Sequence, residues 1–241
     1  MKAVVSALFW FAGAFYAILL FSLLIAGVLI FPPEKLYPLA RFMAKTQLLI
    51  MGVRMKIGGH KNFDRGKPYL IMGNHQSLFD VFAIPAALPM FFVGVGAKYH
   101  FSWPVWGYLI KKWGTICIIR SEKEKAVQAL RKAEDVFKSG VSVLILPEGH
   151  RTLTGKIGEF KKGPFHLALA AKVDILPFVF AGLYEYNNKH SWRLNPGKIS
   201  VVFGRPIPYE SFKNMSVDEI RDRTRNIMLR LEADASGNLL K

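Results

Sequence analysis

Cysteine is nearly absent from this chain: Cys117 is the only one in 241 residues. An intrachain disulfide is therefore impossible, and cysteines cannot build a metal site. Cys117 falls in the apolar run Thr115-Ile116-Cys117-Ile118-Ile119, where it reads as a small core residue. Acidic residues are scarce too. The 17 Asp and Glu stand against 33 Lys and Arg, giving a formal net charge of +16. That imbalance implies an anionic partner: nucleic acid, a membrane surface or a phosphorylated substrate. A hydrophobic fraction of 51% and a positive mean hydropathy argue against an ordinary soluble nucleic-acid binder. Internal repeats and low-complexity segments are also missing. So is the Gly-x-Ser-x-Gly elbow that an α/β hydrolase with a serine nucleophile would carry.

Charge is missing altogether from Ala3 to Phe31, a run of 29 residues. A helix needs roughly 20 such residues to cross a hydrocarbon core. A cleaved signal peptide has an apolar region of only about 7–15 residues and ends at a small-residue site. The end of this run, Phe31-Pro32-Pro33, is no such site, so the segment is read as retained in the membrane. Lys2 precedes it, whereas Lys35, Arg41, Lys45, Arg54 and Lys56 follow. The positive-inside bias then puts the C-terminal side in the cytoplasm. A second apolar stretch, Thr46 to Val53, is too short to span and reads as an interfacial helix. Two shapes are open: a spanning helix with an interfacial one, or a helical hairpin that dips into one leaflet. The expected division is a membrane anchor and interfacial helix over 1–58 and an α/β domain with a C-terminal helix over 59–241.

Beyond the anchor, Tyr69–Met72, Phe91–Val95, Thr115–Ile119, Val141–Leu146, Ile175–Phe180 and Ile199–Phe203 are short apolar runs bounded by Gly, Pro or charges. They read as buried strands. Glu122–Lys138 has apolar residues at helical spacing and stops at Gly140, and Pro164–Lys172 opens with a proline suited to a first turn. Ser216-Val217-Asp218-Glu219 is a capping box for a last helix. The expected fold is α/β, with a mixed, largely parallel sheet flanked by helices and an N-terminal membrane-embedded helical segment. Sites in such folds gather at the loops leaving the carboxyl ends of strands. His75, Arg120 and Glu148-Gly149-His150-Arg151 each follow a strand.

Asn74-His75-Gln76-Ser77-Leu78-Phe79-Asp80 sets a histidine five residues before an aspartate. Imidazole is a good general base near neutral pH, and a carboxylate can fix its tautomer. In a straight helix these positions are about 140° apart. His75 is therefore placed on a loop, with Asp80 in the first turn of the next helix and Ser77 as its N-cap. Leu146-Pro147-Glu148-Gly149-His150-Arg151-Thr152 carries both charge signs after a strand. A carboxylate there can accept from a substrate hydroxyl or hold an arginine, and an arginine can grip a phosphate bidentately. Lys98 and Arg120 are further candidate cations.

In this order and at these spacings, Asn74-His75-x-Ser77-x-x-Asp80, Gly114-x-x-x-x-x-Arg120 and Pro147-Glu148-Gly149-x-Arg151 resemble the motifs of the glycerolipid acyltransferases. Ala97-Lys98, Pro104 and Gly107 match the family's linking segment, and the likeness is closest to bacterial membrane-bound 1-acylglycerol-3-phosphate acyltransferases. His150 stands where the family commonly has threonine, and the fourth motif is reduced to Val173–Phe178. The resemblance implies acyl transfer from a thioester, acyl-CoA or acyl-carrier protein, to the sn-2 hydroxyl of a lysophosphatidate, without a bound cofactor or metal. It implies His75 as base, Asp80 orienting it, and Asn74 and Ser77 supporting the motif. Lys98, Arg120 and Arg151 would hold the phosphate, with Glu148 and Gly149 positioning the glycerol. An oxyanion stabiliser is also expected. The implied place is a cell inner membrane with the catalytic domain facing the cytoplasm, and no nucleic acid is expected as partner. The alternatives are an acyltransferase for a different lysolipid and a non-catalytic, membrane-anchored binder of anionic lipid.

Overall fold

The computed structural model describes residues 2–118 and 123–240. Helix α1 (Lys2–Ile30) carries the uncharged run and α2 (Pro33–Ile50) turns back beside it. Strand β1 (Val53–Gly58) follows, then β2 (Leu70–Gly73), α3 (Asp80–Ala87), β3 (Phe92–Ala97), α4 (Trp106–Lys112) and β4 (Ile116–Ile118). The chain continues with α5 (Lys123–Lys138), β5 (Ser142–Ile145), α6 (Gly163–Ala171), β6 (Ile175–Ala181), α7 (Leu183–Tyr186), β7 (Gly197–Phe203) and α8 (Val217–Leu240).

The strands form a 7-stranded sheet in the order β1-β7-β6-β2-β5-β3-β4. β6 and β7 pair antiparallel, and the other neighbours pair parallel. β2 lies between β5 and β6, with Ile71 opposite both Leu144 and Leu176. Its Leu70, Ile71 and Met72 are wholly buried, as a central strand covered on both faces must be. Alternation sends Ile71, Leu176, Phe178 and Phe180 to a core shared with Leu48, Met51 and Ala83 of the α2–α3 side. Leu70, Met72, Ile175 and Val179 face the other core, with Ala133, Phe165 and Met228 of α5, α6 and α8. Each such aliphatic side chain stabilises the fold by about 1.5–3 kcal/mol on burial. α8 begins with the expected capping box: the Ser216 N–H donates to Glu219 Oε2 at 2.7 Å, and the Glu219 N–H to Ser216 Oγ at 3.3 Å.

Two expectations for the N-terminal part need correction. The stretch Thr46–Val53 does not form a separate interfacial helix. Residues 46–50 are the last turn of α2, and Leu48, Met51 and Val53 are buried in the main core. Residues 53–58, expected within the anchor, form the edge strand β1 paired along β7 from Val53–Gly197 to Gly58–Val202. Arg54 and Lys56 masked this strand in the sequence, because they alternate with inward Val53, Met55 and Ile57 and break the apolar run.

One flank of α1 lies along the folded domain. Ser6 bonds with Leu194, and Trp10 Nε1 donates to the Trp192 carbonyl at 2.7 Å. Gln47 donates to the Gly13 carbonyl at 3.1 Å, where a side chain on residue 13 would collide with Met51. Leu20 and Leu24 pack with Ala40, Met43 and Leu109. The opposite flank is exposed and apolar, through Val4, Leu8, Phe11, Phe15, Ile18, Leu29 and Ile30.

Candidate active site

Three loops meet at the carboxyl edge of β2, β5 and β6. The loop after β2 carries His75. Asn74 pins it to the neighbouring strand: its amide donates to the Phe180 carbonyl at 2.9 Å and accepts from the Phe180 N–H at 2.8 Å. The loop after β5 clasps the His75 backbone. The Thr152 N–H donates to the His75 carbonyl at 2.8 Å, and the His75 N–H donates to Glu148 Oε1 at 2.8 Å. With both backbone groups of His75 held by the loop after β5, the backbone that carries its ring is fixed from outside its own loop.

The ring is set by Asp80. His75 Nδ1 lies 2.5 Å from Asp80 Oδ2. That carboxylate is buried, and it also accepts from the backbone N–H groups of Gln76 at 2.9 Å and Ser77 at 3.2 Å. These charge-assisted bonds, together with its place at the start of α3, offset the cost of burying its charge. A carboxylate accepting at Nδ1 requires the Nδ1–H tautomer, which leaves the Nε2 lone pair available. Nε2 has no protein partner among the described residues, and the His75 side chain is 26% exposed. The arrangement is a base with one face open.

Ser77 does not cap α3. The residue preceding the helix is Phe79, and the Ser77 hydroxyl donates to the Asn187 carbonyl at 2.8 Å. It ties the loop to the segment after α7, while the cap position follows an extra turn, with the Asp80 N–H on the Ser77 carbonyl.

Glu148 also differs from expectation. It is 1% exposed, and its second oxygen accepts from the Gly158 N–H at 2.9 Å. Both oxygens are committed to backbone donors, so the carboxylate that was expected on the glycerol instead joins two loops. Burial pushes the Glu148 carboxyl above its ordinary value, against the two backbone bonds and the charges of His75 and His150. Gly149 adopts φ +76, the left-handed region that favours glycine, within a tight turn closed by its N–H on the Leu146 carbonyl. His150 is exposed, with Nδ1 near the Arg151 carbonyl.

Arg151 is half-buried beside this turn, and Lys98 is exposed where β3 ends. Neither has a carboxylate partner among the described residues. Because β2, β3 and β5 run parallel, both cations leave the same edge of the sheet as His75. Arg120 lies outside the described residues. The sequence reading passed over His100, two residues beyond Lys98. Burial, and then the charge of His75, lower its pKa. Gln76 was missed as well: its side-chain oxygen accepts from the Leu183 N–H at 3.2 Å and so fastens the loop to β6's exit. Among the described residues no group of three or more His, Cys, Asp or Glu side chains is placed to hold a metal ion.

An imidazole fixed at Nδ1 and open at Nε2, on the carboxyl edge of an α/β sheet, has the geometry a general base requires. The family model described as Acyltransferase matches residues 54–181, which contain this site, and the chain belongs to that family. It is 31% identical over 182 residues to the 1-acyl-sn-glycerol-3-phosphate acyltransferase alpha of Ovis aries, covering 75% of this chain and 63% of that protein. It is 29% identical over 193 residues to the 1-acyl-sn-glycerol-3-phosphate acyltransferase of Saccharomyces cerevisiae, covering 79% and 63%. The alignments thus span less than two thirds of these relatives. The crystal structure of the 1-acyl-sn-glycerophosphate acyltransferase PlsC from Thermotoga maritima superposes with a TM-score of 0.82, covering 97% of this chain and 95% of that one at 20% identity. The two proteins share a fold.

Proposed function

We propose that this protein transfers a fatty acyl group from a thioester to the sn-2 hydroxyl of 1-acylglycerol-3-phosphate, giving phosphatidate for phospholipid synthesis. The observation that carries the reading is the His75–Asp80 pair, with Nδ1 held at 2.5 Å and Nε2 open, on the same sheet edge as Lys98 and Arg151, which have no carboxylate partner among the described residues. The similarity to proteins named as 1-acylglycerol-3-phosphate acyltransferases supplies the substrate class.

In this mechanism His75 Nε2 takes the proton of the lipid hydroxyl as that oxygen attacks the thioester carbonyl carbon. Asp80 keeps the tautomer and stabilises the imidazolium. The tetrahedral intermediate then collapses, the carbon–sulfur bond breaks, and the leaving thiolate takes the proton from Nε2. The nucleophile belongs to the substrate, so no acyl-enzyme forms. General-base action supplies about 10²–10⁴-fold, and holding the two substrates in line supplies several kcal/mol more. Arg151, Lys98 and Arg120 hold the acceptor phosphate. Gly149 lets the loop turn close to the glycerol, and Glu148 fixes His75 rather than the substrate.

The acceptor is an amphiphile of the bilayer surface, and the exposed flank of α1 matches that location. A helix of 29 residues is about 43 Å long. Its flank from Ser6 to Leu24 is packed on the domain, and Gly27 rests on Leu36 of α2. A helix so held cannot cross the bilayer while the domain stays in water. This favours the hairpin of α1 and α2 seated in one leaflet. The cations after α1 favour the cytoplasmic leaflet of the inner membrane. The donor is an acidic thioester, acyl-CoA or acyl-carrier protein, suited to the basic chain.

The test is acyl transfer by purified protein in detergent, with both donors and with phosphorylated, neutral and zwitterionic lysolipids. Wild type is expected to make phosphatidate from lysophosphatidate in preference to other products. His75→Ala is expected to lose at least about 10²-fold in kcat. Undiminished activity in His75→Ala would refute the base assignment, and lipid binding without transfer by wild type would refute the enzyme.

A further inference from the structure

A second group of cations lies away from the catalytic edge. Arg41 and Lys45 are one turn apart on α2, on the flank between its buried stripe and the exposed Leu39, Phe42 and Leu49. His60, beyond β1, sets its Nε2 3.2 Å from the Ala87 carbonyl at the end of α3. Arg65 follows in the next turn. The charged groups acting on His60 are Arg65, Arg41 and Lys45, with no carboxylate among them. Burial, and then these like charges, lower the His60 pKa despite its backbone bond; burial and Arg41 lower that of Lys45.

Arg41 decides between a solvated surface and a site. Its Nε is buried without a hydrogen-bond partner, and its guanidinium has no ion pair among the described residues. The residue is partly exposed, and its terminal guanidinium nitrogens are not among the buried unpaired atoms, so they are open to a ligand while the buried Nε is costly to leave unpaired. Carbonyls at the end of α3 do not satisfy it either. Those of Pro85 and Leu88 receive the Tyr37 hydroxyl, and that of Ala87 faces His60. Among the described residues none of these cations pairs with a carboxylate. Asp80 opens α3 and Ala87 closes it, so roughly 10 Å of helix separates the cluster from the dyad. β1 also runs opposite to β2, which sends His60 to the far edge of the sheet from His75.

We propose that Arg41, Lys45, His60 and Arg65 bind the phosphate of an anionic bilayer phospholipid, at a site separate from the His75–Asp80 centre. Arginine supplies a planar fork for phosphate oxygens and lysine a point charge. The exposed Leu39, Phe42 and Leu49 beside them continue the apolar flank of α1, giving the lipid's chains a surface to follow. This favours a lipid over free phosphate, which would leave that ridge unused. The proposal rests on the membrane reading of α1 and α2, and its test keeps the two apart.

The experiment is thermal unfolding of the full chain in maltoside micelles with phosphatidylglycerol, phosphatidylcholine or inorganic phosphate at matched ionic strength. A ligand that binds only the folded state raises Tm with its concentration. Phosphatidylglycerol is expected to raise Tm, and the other two are not. Arg41→Gln/Lys45→Gln is expected to weaken the phosphatidylglycerol effect by about tenfold or more, as loss of bonds to charged groups requires. Its Tm without lipid is expected to be no lower than that of wild type, because two unpaired like charges have gone. A merely structural role would lower it. Lys45→Gln alone, a milder change, is expected to show part of the loss and serves if the double variant does not fold. His75→Ala is expected to keep the full phosphatidylglycerol effect, placing it away from the catalytic centre. Equal effects from the two lipids, a matching effect from inorganic phosphate, or undiminished binding by the variants would overturn the site. Flotation with neutral phosphatidylcholine vesicles tests the anchor itself, and failure there would overturn the membrane reading on which the site stands.

Discussion

Glu148→Gln separates the two roles open to that residue. The wild-type carboxylate accepts from the His75 N–H at 2.8 Å and the Gly158 N–H at 2.9 Å, inside a site 1% exposed. Glutamine keeps the shape but offers one acceptor oxygen, and its NH₂ must face the other donor. One charge-assisted bond is lost and one buried N–H meets a second donor, at a cost of about 1–3 kcal/mol. For a domain of this size that lowers Tm by a few degrees to about ten. The His75 backbone is freed from one of its two tethers. A misplacement of about 1 Å at a reacting group can cost roughly 10²-fold in rate. Kinetics with lysophosphatidate should therefore show kcat falling by about 10–100-fold, with KM changed by less than about twofold, as expected when positioning is lost and ground-state binding kept. A large rise in KM with kcat and Tm unchanged would refute the reasoning, because it would put Glu148 on the acceptor. The variant also has a pH signature. Burial raises the folded-state pKa of Glu148 above its ordinary 4.5, so the folded state holds the proton more tightly. That contribution to stability is complete below the unfolded value and is lost as pH rises through the folded one. Wild type should lose stability over that window relative to Glu148→Gln.

Asp80→Asn should lower kcat by about 10²–10⁴-fold with a modest change in KM, because an amide nitrogen facing Nδ1 selects the wrong tautomer; the check is single-turnover transfer, and near-normal turnover would refute the orienting role. Arg151→Gln should raise KM for lysophosphatidate by about tenfold or more while affecting neutral lysolipids far less, since it removes a bond to a charged group. A uniform loss across acceptors would speak against phosphate contact.

Much of the sheet was legible because its central strands are buried on both faces and read as continuous apolar runs. β2, β5 and β6 announce themselves in this way. β1 did not, because an edge strand with Arg54 and Lys56 pointing outward looks like the basic flank of a membrane segment. The dyad was legible from its spacing and position after a strand, since the required bend follows from helix geometry alone. The role of Glu148 was not. Its partners are backbone N–H groups 73 and 10 residues away, and backbone donors leave no mark in a sequence. Likewise Ser77 resembled an N-cap, yet its oxygen has a tertiary acceptor 110 residues distant in Asn187. The cluster around Arg41 is hidden for a related reason: in the sequence Arg41 and Lys45 read as charges flanking a membrane segment, and nothing local links them to His60 and Arg65.

The packing of α1 bears on whether the anchor can be removed. Trp10 lies with its ring 5.6 Å from that of Phe79, which is 4.9 Å from Tyr186. Phe79 immediately precedes Asp80. Gly13 fits against Met51, and Leu20 and Leu24 complete a core with Met43 and Leu109. Deleting residues 1–31 thus uncovers an apolar face of the domain rather than cutting a tether at a flexible joint. An exposed surface of that kind favours association. The deletion is expected to lower Tm and to aggregate without detergent, and to reduce kcat even on short-chain acceptors dispersed in water, because Trp10 no longer supports the residue beside Asp80. A monomeric, fully active, water-soluble truncation would show that α1 serves only to hold the domain at the bilayer, and that its contact with Phe79 does nothing for the dyad.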